Sequence, residues 1–246
     1  MANQKKPSSG AGNTPPPPSN VPAYVAAAVV LSVLVLIGWS LGGGSGTTAA
    51  TDSNEMPVTV VSQPAEEEAA QPEAPAADGQ YSAPPPMTID ASKNYTATIT
   101  TPRGDIVIKL RPDLAPQTVN SFVFLAREGY YDGLTWHRVI ADFMAQGGDP
   151  TGTGGGGPGY TIPAEFSDVS FDRPGILAMA RPGNDINGNG SQFFITTAPA
   201  TYLDGQYTVF GEVISGQEIV DGIPLRDPMS ATEPGESMLK ITITEG

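Results

Sequence analysis

Hydrophobic and polar positions fall into three textures along the chain. Residues 21–41, VPAYVAAAVVLSVLVLIGWSL, form one apolar run without a charge. About 21 residues suffice to cross a hydrocarbon core of roughly 30 Å as a helix. Residues 42–88 carry Gly, Ser, Thr, Ala, Pro and Glu with few aromatics, too little apolar surface to offset the entropy of ordering. From Tyr95 the pattern alternates. Tyr95–Thr101 is β-branched with period two, as a half-buried strand should be. Pro102-Arg103-Gly104-Asp105 reads as a turn and Ile106–Leu110 as the returning strand of a hairpin. Pro116 opens a helix, Val119, Phe122, Val123 and Ala126 hold helical spacing, and Gly129 ends it. Short apolar strands between Gly-rich loops follow at 134–140, 143–147, 175–180, 192–196, 207–213 and 238–244, with a second short helix at 216–222. Many short strands with two helices predict a mainly β fold, a closed eight-stranded antiparallel barrel capped by the helices.

These textures divide the chain into a disordered tail (1–20, with Pro15–Pro18), a transmembrane helix acting as signal anchor (21–41), a disordered Pro/Ala/Glu-rich linker (42–88) and one folded domain (89–246). Lys5 and Lys6 precede the apolar run and no basic residue follows it until Lys93. That bias places the N-terminus in the cytoplasm and the folded domain outside. Tyr24 and Trp39 stand near the two ends of the run, where aromatic rings favour the interface. A cleaved signal peptide is the competing reading, with the Ala49-Ala50 region as its processing site. The run is longer than the roughly 7–15 residues usual for such a core. No lipid-modified cysteine is possible.

Charge and composition narrow the chemistry. The chain has no cysteine and one histidine, which removes disulfides, thiolate nucleophiles and Cys-ligated zinc. All 26 acidic residues lie beyond residue 50, where only ten basic ones do. Nucleic acid is not an expected partner, because phosphate binding needs a basic face. Gly152, Gly154 and Gly157 match a dinucleotide fingerprint in spacing, but Pro158-Gly159 follows where a helix should. Asp185, Asn187 and Asn189 imitate the start of a calcium loop whose twelfth position is Thr196, not Glu. Asn94-Tyr95-Thr96 and Asn189-Gly190-Ser191 are glycosylation sequons.

Two blocks carry candidate chemistry. The first, Trp136 to Asp149, sets His137 and Arg138 inside a β-branched, apolar run. The second, Gly190-Ser191-Gln192-Phe193-Phe194-Ile195-Thr196, adds an amide and two aromatics. A guanidinium on a strand must be paired or must face a site, and it stays charged. Together the blocks describe a polar fork at the rim of an apolar pocket, a receptor suited to an apolar group beside a carbonyl. Proline within a peptide fits that description. The blander readings are a paired structural arginine, ordinary barrel core for the apolar residues, and a structural hydrogen-bonding role for His137.

The order of these pieces resembles the cyclophilin-type peptidyl-prolyl isomerases. The similarity lies in Arg103–Ile108, Phe122–Ala126, His137–Asp149, Gly175–Ala180, Ser191–Ile195 and Leu203–Gly211. It covers roughly 94 to 245, and the loop lengths resemble the shorter bacterial members. The resemblance implies an eight-stranded barrel with its proline site in an outer groove. It places the catalytic arginine at Arg138, with His137 beside it and Gln146 contacting the peptide backbone. Phe143, Met144, Phe194 and Leu203 become the proline pocket, and Ala180 and Gln192 the adjacent groove. Tyr202 stands where many members carry Trp, which implies weak cyclosporin binding. Tyr207 replaces a pocket histidine, and Arg181 replaces an Asn and adds a charge to the groove. No cofactor and no metal is expected. The reading is a monomeric, membrane-tethered, extracytoplasmic isomerase acting on proline-containing polypeptide clients and assisting the folding of exported proteins. Its alternative is a non-catalytic proline-peptide-binding chaperone or scaffold module.

Overall fold

The computed structural model describes residues 80–246. The expected tail, spanning helix and most of the linker lie outside the described residues. Among the described residues, no helix is long and apolar enough to cross a membrane. Strands β1 (Tyr95–Thr101) and β2 (Gly104–Leu110) form the expected hairpin, with Thr101 opposite Gly104 across the Pro102-Arg103 turn. Helix α1 (Pro116–Arg127) follows. Ala115 at its start has no side chain able to cap it. The Glu165 carboxylate does so from a distant loop, accepting from the backbone N–H groups of Gln117 (3.0 Å) and Thr118 (2.8 Å) and from Thr118 Oγ1 (2.8 Å). A carboxylate there also meets the positive end of the helix dipole.

The remaining elements are β3 (Arg138–Ile140), β4 (Met144–Gly147), β5 (Ile176–Met179), β6 (Phe193–Thr196), β7 (Val209–Ser215), α2 (Gln217–Asp221) and β8 (Lys240–Glu245). They form one sheet of eight strands in the order β3-β4-β6-β5-β7-β2-β1-β8, antiparallel at every junction. The expectation of a closed barrel needs correction. The sheet curls into a half-barrel, and no strand ladder joins β3 to β8. A looser seam spans the gap: Trp136 N–H donates to Glu236 O (2.9 Å), Met238 N–H to Leu134 O (2.7 Å) and Gly133 N–H to Met238 O (2.8 Å). The strand expected at 134–140 shortens to Arg138–Ile140 for this reason. Its first half meets the residues preceding β8 through one isolated bridge, Thr135 to Ser237.

Alternation sorts the apolar residues onto two faces. Val139, Ala145, Ile195 and Leu177 share one row of the register and belong to the interior. There Phe193 packs edge-on against Phe122 (5.7 Å), Tyr131 (5.7 Å) and Trp136 (5.8 Å). Met144, Phe194, Ala178 and Ile176 face the other way and form a second, smaller cluster under Phe171, Ala200 and Leu203.

The folded part also starts ahead of the boundary expected at 89. Tyr81, Pro85 and Ile89 are buried, and the segment lies along α1. Asn120, buried on that helix, accepts from Thr88 N–H (2.8 Å) and donates to Pro86 O (2.9 Å). Residues 80–88 therefore belong to the domain rather than to a disordered linker.

Candidate active site

The site grows from one row across four strands. Arg138 on β3 stands opposite Gln146 on β4, Gln146 opposite Phe194 on β6, and Phe194 opposite Ala178 on β5. Residues directly opposite on one face lie about 4.5–5.5 Å apart at Cβ. A cation, an amide and an aromatic ring are thus brought side by side on the outer face by register alone. Arg138 Nη1 donates to Gln146 Oε1 at 3.3 Å. Gln146 Nε2 donates to Gln192 Oε1 at 2.9 Å. Gln192 Nε2 donates in turn to the carbonyls of Gly156 (2.8 Å) and Gly154 (3.0 Å). Each amide orients the next, so the guanidinium is steered without being neutralised.

Arg138 is half-buried and takes part in no ion pair among the described residues. Burial pulls its pKa down, while the field of Asp227 and of the Tyr207 and Tyr202 hydroxyls acts the other way. A guanidinium remains protonated under such a shift. The structural-arginine reading calls for a carboxylate ion pair, and the structure gives Arg138 none among the described residues.

Beside the cation lies the apolar cluster of the outer face. Met144, Phe194, Ala180 and Leu203 are buried, with Phe143 and Tyr207 packed against them. Leu203 is delivered by a single 3₁₀ turn, Thr201–Leu203. Phe194 stacks on Phe171 (6.0 Å) and meets Tyr207 edge-on (5.7 Å). Tyr202 is 62% exposed on the lip, its ring 5.9 Å from Phe143. Arg181 lies over the Tyr207 ring at 4.8 Å and donates to Gln206 O (3.0 Å) and Pro182 O (3.2 Å). Its charge is thereby fixed at the edge of the pocket. Of the expected site residues, Gln146, Gln192, Ala180 and Arg181 line one groove, Phe143, Met144, Phe194, Leu203 and Tyr207 belong to the adjacent apolar cluster, Tyr202 packs on Phe143, and Arg138 joins them through Gln146.

His137 is the exception. It points to the opposite face from Arg138 and is 0% exposed. Burial depresses its pKa, a trend that Asp149 opposes and that Arg226 and Arg138 reinforce. Neither ring nitrogen has a hydrogen-bond partner within reach among the described residues. The Gln192 side chain, near the ring, acts weakly in the same direction as Asp149. The imidazole is enclosed on the interior side of the strand rather than set in the groove.

Two contributors were not anticipated. Asp149 is buried, and its carboxylate accepts from Thr151 N–H (2.7 Å), Thr151 Oγ1 (2.8 Å), Thr153 N–H (3.1 Å) and Gly154 N–H (2.5 Å). Burial alone would raise its pKa, but these bonds outweigh it and hold the carboxyl below its usual range. It pins the start of the glycine loop whose carbonyls receive Gln192. The second is the segment 80–82, which borders the groove beyond Gln192. Tyr81 is the lone aromatic between residues 42 and 88, which was the available signal.

An unneutralised donor fork beside an apolar pocket, on the outside of a curled eight-stranded sheet, defines a class. The model of the cyclophilin-type peptidyl-prolyl cis-trans isomerases matches residues 96–245. The chain belongs to that family and is an enzyme of that class. It is 46% identical over 145 residues to peptidyl-prolyl cis-trans isomerase B of Streptomyces anulatus, covering 52% of this chain and 82% of that one. It is 42% identical over 176 residues to the probable peptidyl-prolyl cis-trans isomerase A of Mycobacterium leprae, covering 64% and 96%. Among solved structures, a cyclophilin-type isomerase of Cryptosporidium parvum superposes with a TM-score of 0.57 at 34% identity, covering 61% of this chain and 98% of that one.

Proposed function

We propose that this isomerase acts from the outer side of a membrane, to which residues 21–41 tether it, on prolyl bonds of exported polypeptides during their folding. Rotation about an X–Pro bond breaks amide resonance against a barrier near 18–20 kcal/mol and takes tens to hundreds of seconds unaided. The twisted state has a pyramidal prolyl nitrogen whose lone pair no longer conjugates with the carbonyl. A donor aimed at that lone pair stabilises the twisted amide more than either planar one, which is what catalysis requires.

Arg138 is that donor in this reading. Met144, Phe194 and Leu203 hold the prolyl ring, so the rotation falls on the residue before it. Gln146 binds the peptide backbone alongside. No bond to the protein forms, and no proton changes hands. Reaching milliseconds from tens of seconds takes four to five decades, or roughly 6 kcal/mol. One charged hydrogen bond with fixed positioning, in a site that excludes water, is of that order. The observation that carries the reading is the Arg138–Gln146–Gln192 relay, which orients a charged fork and leaves it without a carboxylate.

The test has two arms. The full chain is added to the proline-limited refolding of a secreted protein, and the slow phase should accelerate. Protease is then added to intact cells stripped of their outer layers, and the domain should be digested. An unchanged slow phase, or a domain protected until the membrane is opened, contradicts the proposal.

A further inference from the structure

We propose that residues 80–82, where the chain enters the domain, are a working wall of the peptide groove, with Tyr81 as the positioning residue that holds it. This rests on the role given above to Arg138 and the proline pocket. Beyond Gln146 lies a groove of about 780 Å³, lined by Gln192, Ala180, Gln80, Ser82 and the glycine loop 154–157.

The glycine loop has no side chains to fix it, and glycine is the residue least able to hold a conformation by itself. Its position is therefore set by its ties. Asp149 binds its start, and Gln192 binds its middle. Tyr81 binds its end: the Tyr81 N–H donates to Pro158 O at 2.7 Å. Gly159 sits at φ +92°, so close to Tyr81 that a Cβ there would overlap the Tyr81 carbonyl. The Tyr81 ring, 4% exposed, is seated against Phe124 (5.2 Å), Tyr160 (6.3 Å) and Tyr130 (6.4 Å). The entering segment and the loop are thus one unit, anchored in the aromatic cluster above α1.

Peptide direction makes this unit a contact surface. With the prolyl ring in the pocket, its nitrogen lies toward Arg138, and the preceding residue is bonded to that nitrogen. Gln146 stands next to Arg138 and borders the groove. The chain upstream of proline therefore runs past Gln146 into the groove. There it meets amides, a hydroxyl and backbone carbonyls, which suit an extended upstream segment with polar side chains or free backbone donors. A peptide that stops at the residue before proline never reaches the wall.

The experiment compares the full chain with its Tyr81→Ala and Tyr81→Phe variants on two substrates. One is a blocked X–Pro peptide with nothing upstream, and the other has several upstream residues. For Tyr81→Ala, KM for the long peptide should rise about 5-fold, while kcat and the short peptide's kcat/KM stay within about two-fold. Tyr81→Phe should restore the long-peptide KM. An equal change on both peptides, or none on the long one, overturns the proposal. Should Tyr81→Ala not fold, the double variant Gln80→Gly with Ser82→Gly, both exposed, reads the wall directly, and absence of the same split overturns it. Failure of the parent reading shows differently: Arg138→Ala would keep its turnover of the short peptide.

Discussion

Replacing Asn120 by leucine should free the entering segment and leave the sheet intact. The Asn120 carbonyl accepts from Thr88 N–H (2.8 Å), Thr88 Oγ1 (3.2 Å) and Ile89 N–H (3.3 Å). Its amide donates to Pro86 O (2.9 Å) and Pro85 O (3.4 Å). A net hydrogen bond is worth about 1 kcal/mol, and two of these five are short enough to count fully. Leaving the buried Ile89 N–H without a partner adds roughly 1–3 kcal/mol. Leucine has the same branching and heavy-atom count and opens no cavity, so the total penalty on the docked segment is about 3–5 kcal/mol. Few interactions other than the Tyr81 ring and the Pro158 carbonyl hold the segment, so the cheaper response is local detachment. Amide hydrogen exchange by NMR resolves it. The Thr88 and Ile89 amides should exchange at rates near those of an unfolded chain, while Tyr81, held by Pro158 O, and Ile99 and Ile195 in the sheet keep their protection. A Thr88 amide that stays as protected as Ile99 would refute the reasoning.

Other outcomes follow from the same contacts. Glu165→Ala removes the cap that α1 cannot supply for itself and should cost about 1–2 kcal/mol in urea unfolding. Phe194→Ala empties the centre of the outer apolar cluster; it should cost about 3–5 kcal/mol of stability and raise KM more than it lowers kcat. His137 has a folded pKa below its ordinary 6.5, so the unfolded chain binds a proton that the folded chain refuses. Stability contributed by the neutral ring is complete above about pH 6.5 and is lost as pH falls, at up to about 1.4 kcal/mol per pH unit. Urea titrations of His137→Gln should lack that component, and isomerase rates between about pH 6.5 and 9 should be flat, since Arg138 does not titrate there.

Much of the fold was legible because burial on one face imposes alternation, and β1, β2 and α1 stand where the periodicity puts them. That Arg138 lies on a strand was legible from the β-branched run around it. Barrel closure was not. Leu134 and Trp136 carry the strand pattern, but their hydrogen bonds go to an irregular stretch before β8 rather than to a ladder, and apolar patterning cannot distinguish the two. The inward turn of His137 was missed because adjacency in sequence on a strand means opposite faces, not proximity to a site. The segment 80–88 was read as linker from its prolines. Its buried residues recur every fourth position, a spacing that one face of a strand and one face of a helix both allow, so periodicity does not identify the segment. The ties of Asp149 to its loop are local backbone geometry, and a rejected nucleotide motif concealed them.

The central claim is that an oriented, unpaired guanidinium at position 138 stabilises the twisted imide. NMR exchange spectroscopy on a short X–Pro peptide, with the unsubstituted full chain and Arg138→Ala compared at equal peptide occupancy, separates turnover from binding. Loss of one preorganised donor should lower the bound-state exchange rate about 10²–10³-fold, or roughly 2.7–4 kcal/mol, with the peptide dissociation constant changed by less than about 10-fold. A folded Arg138→Ala chain exchanging the bound peptide at the unsubstituted rate would contradict the account.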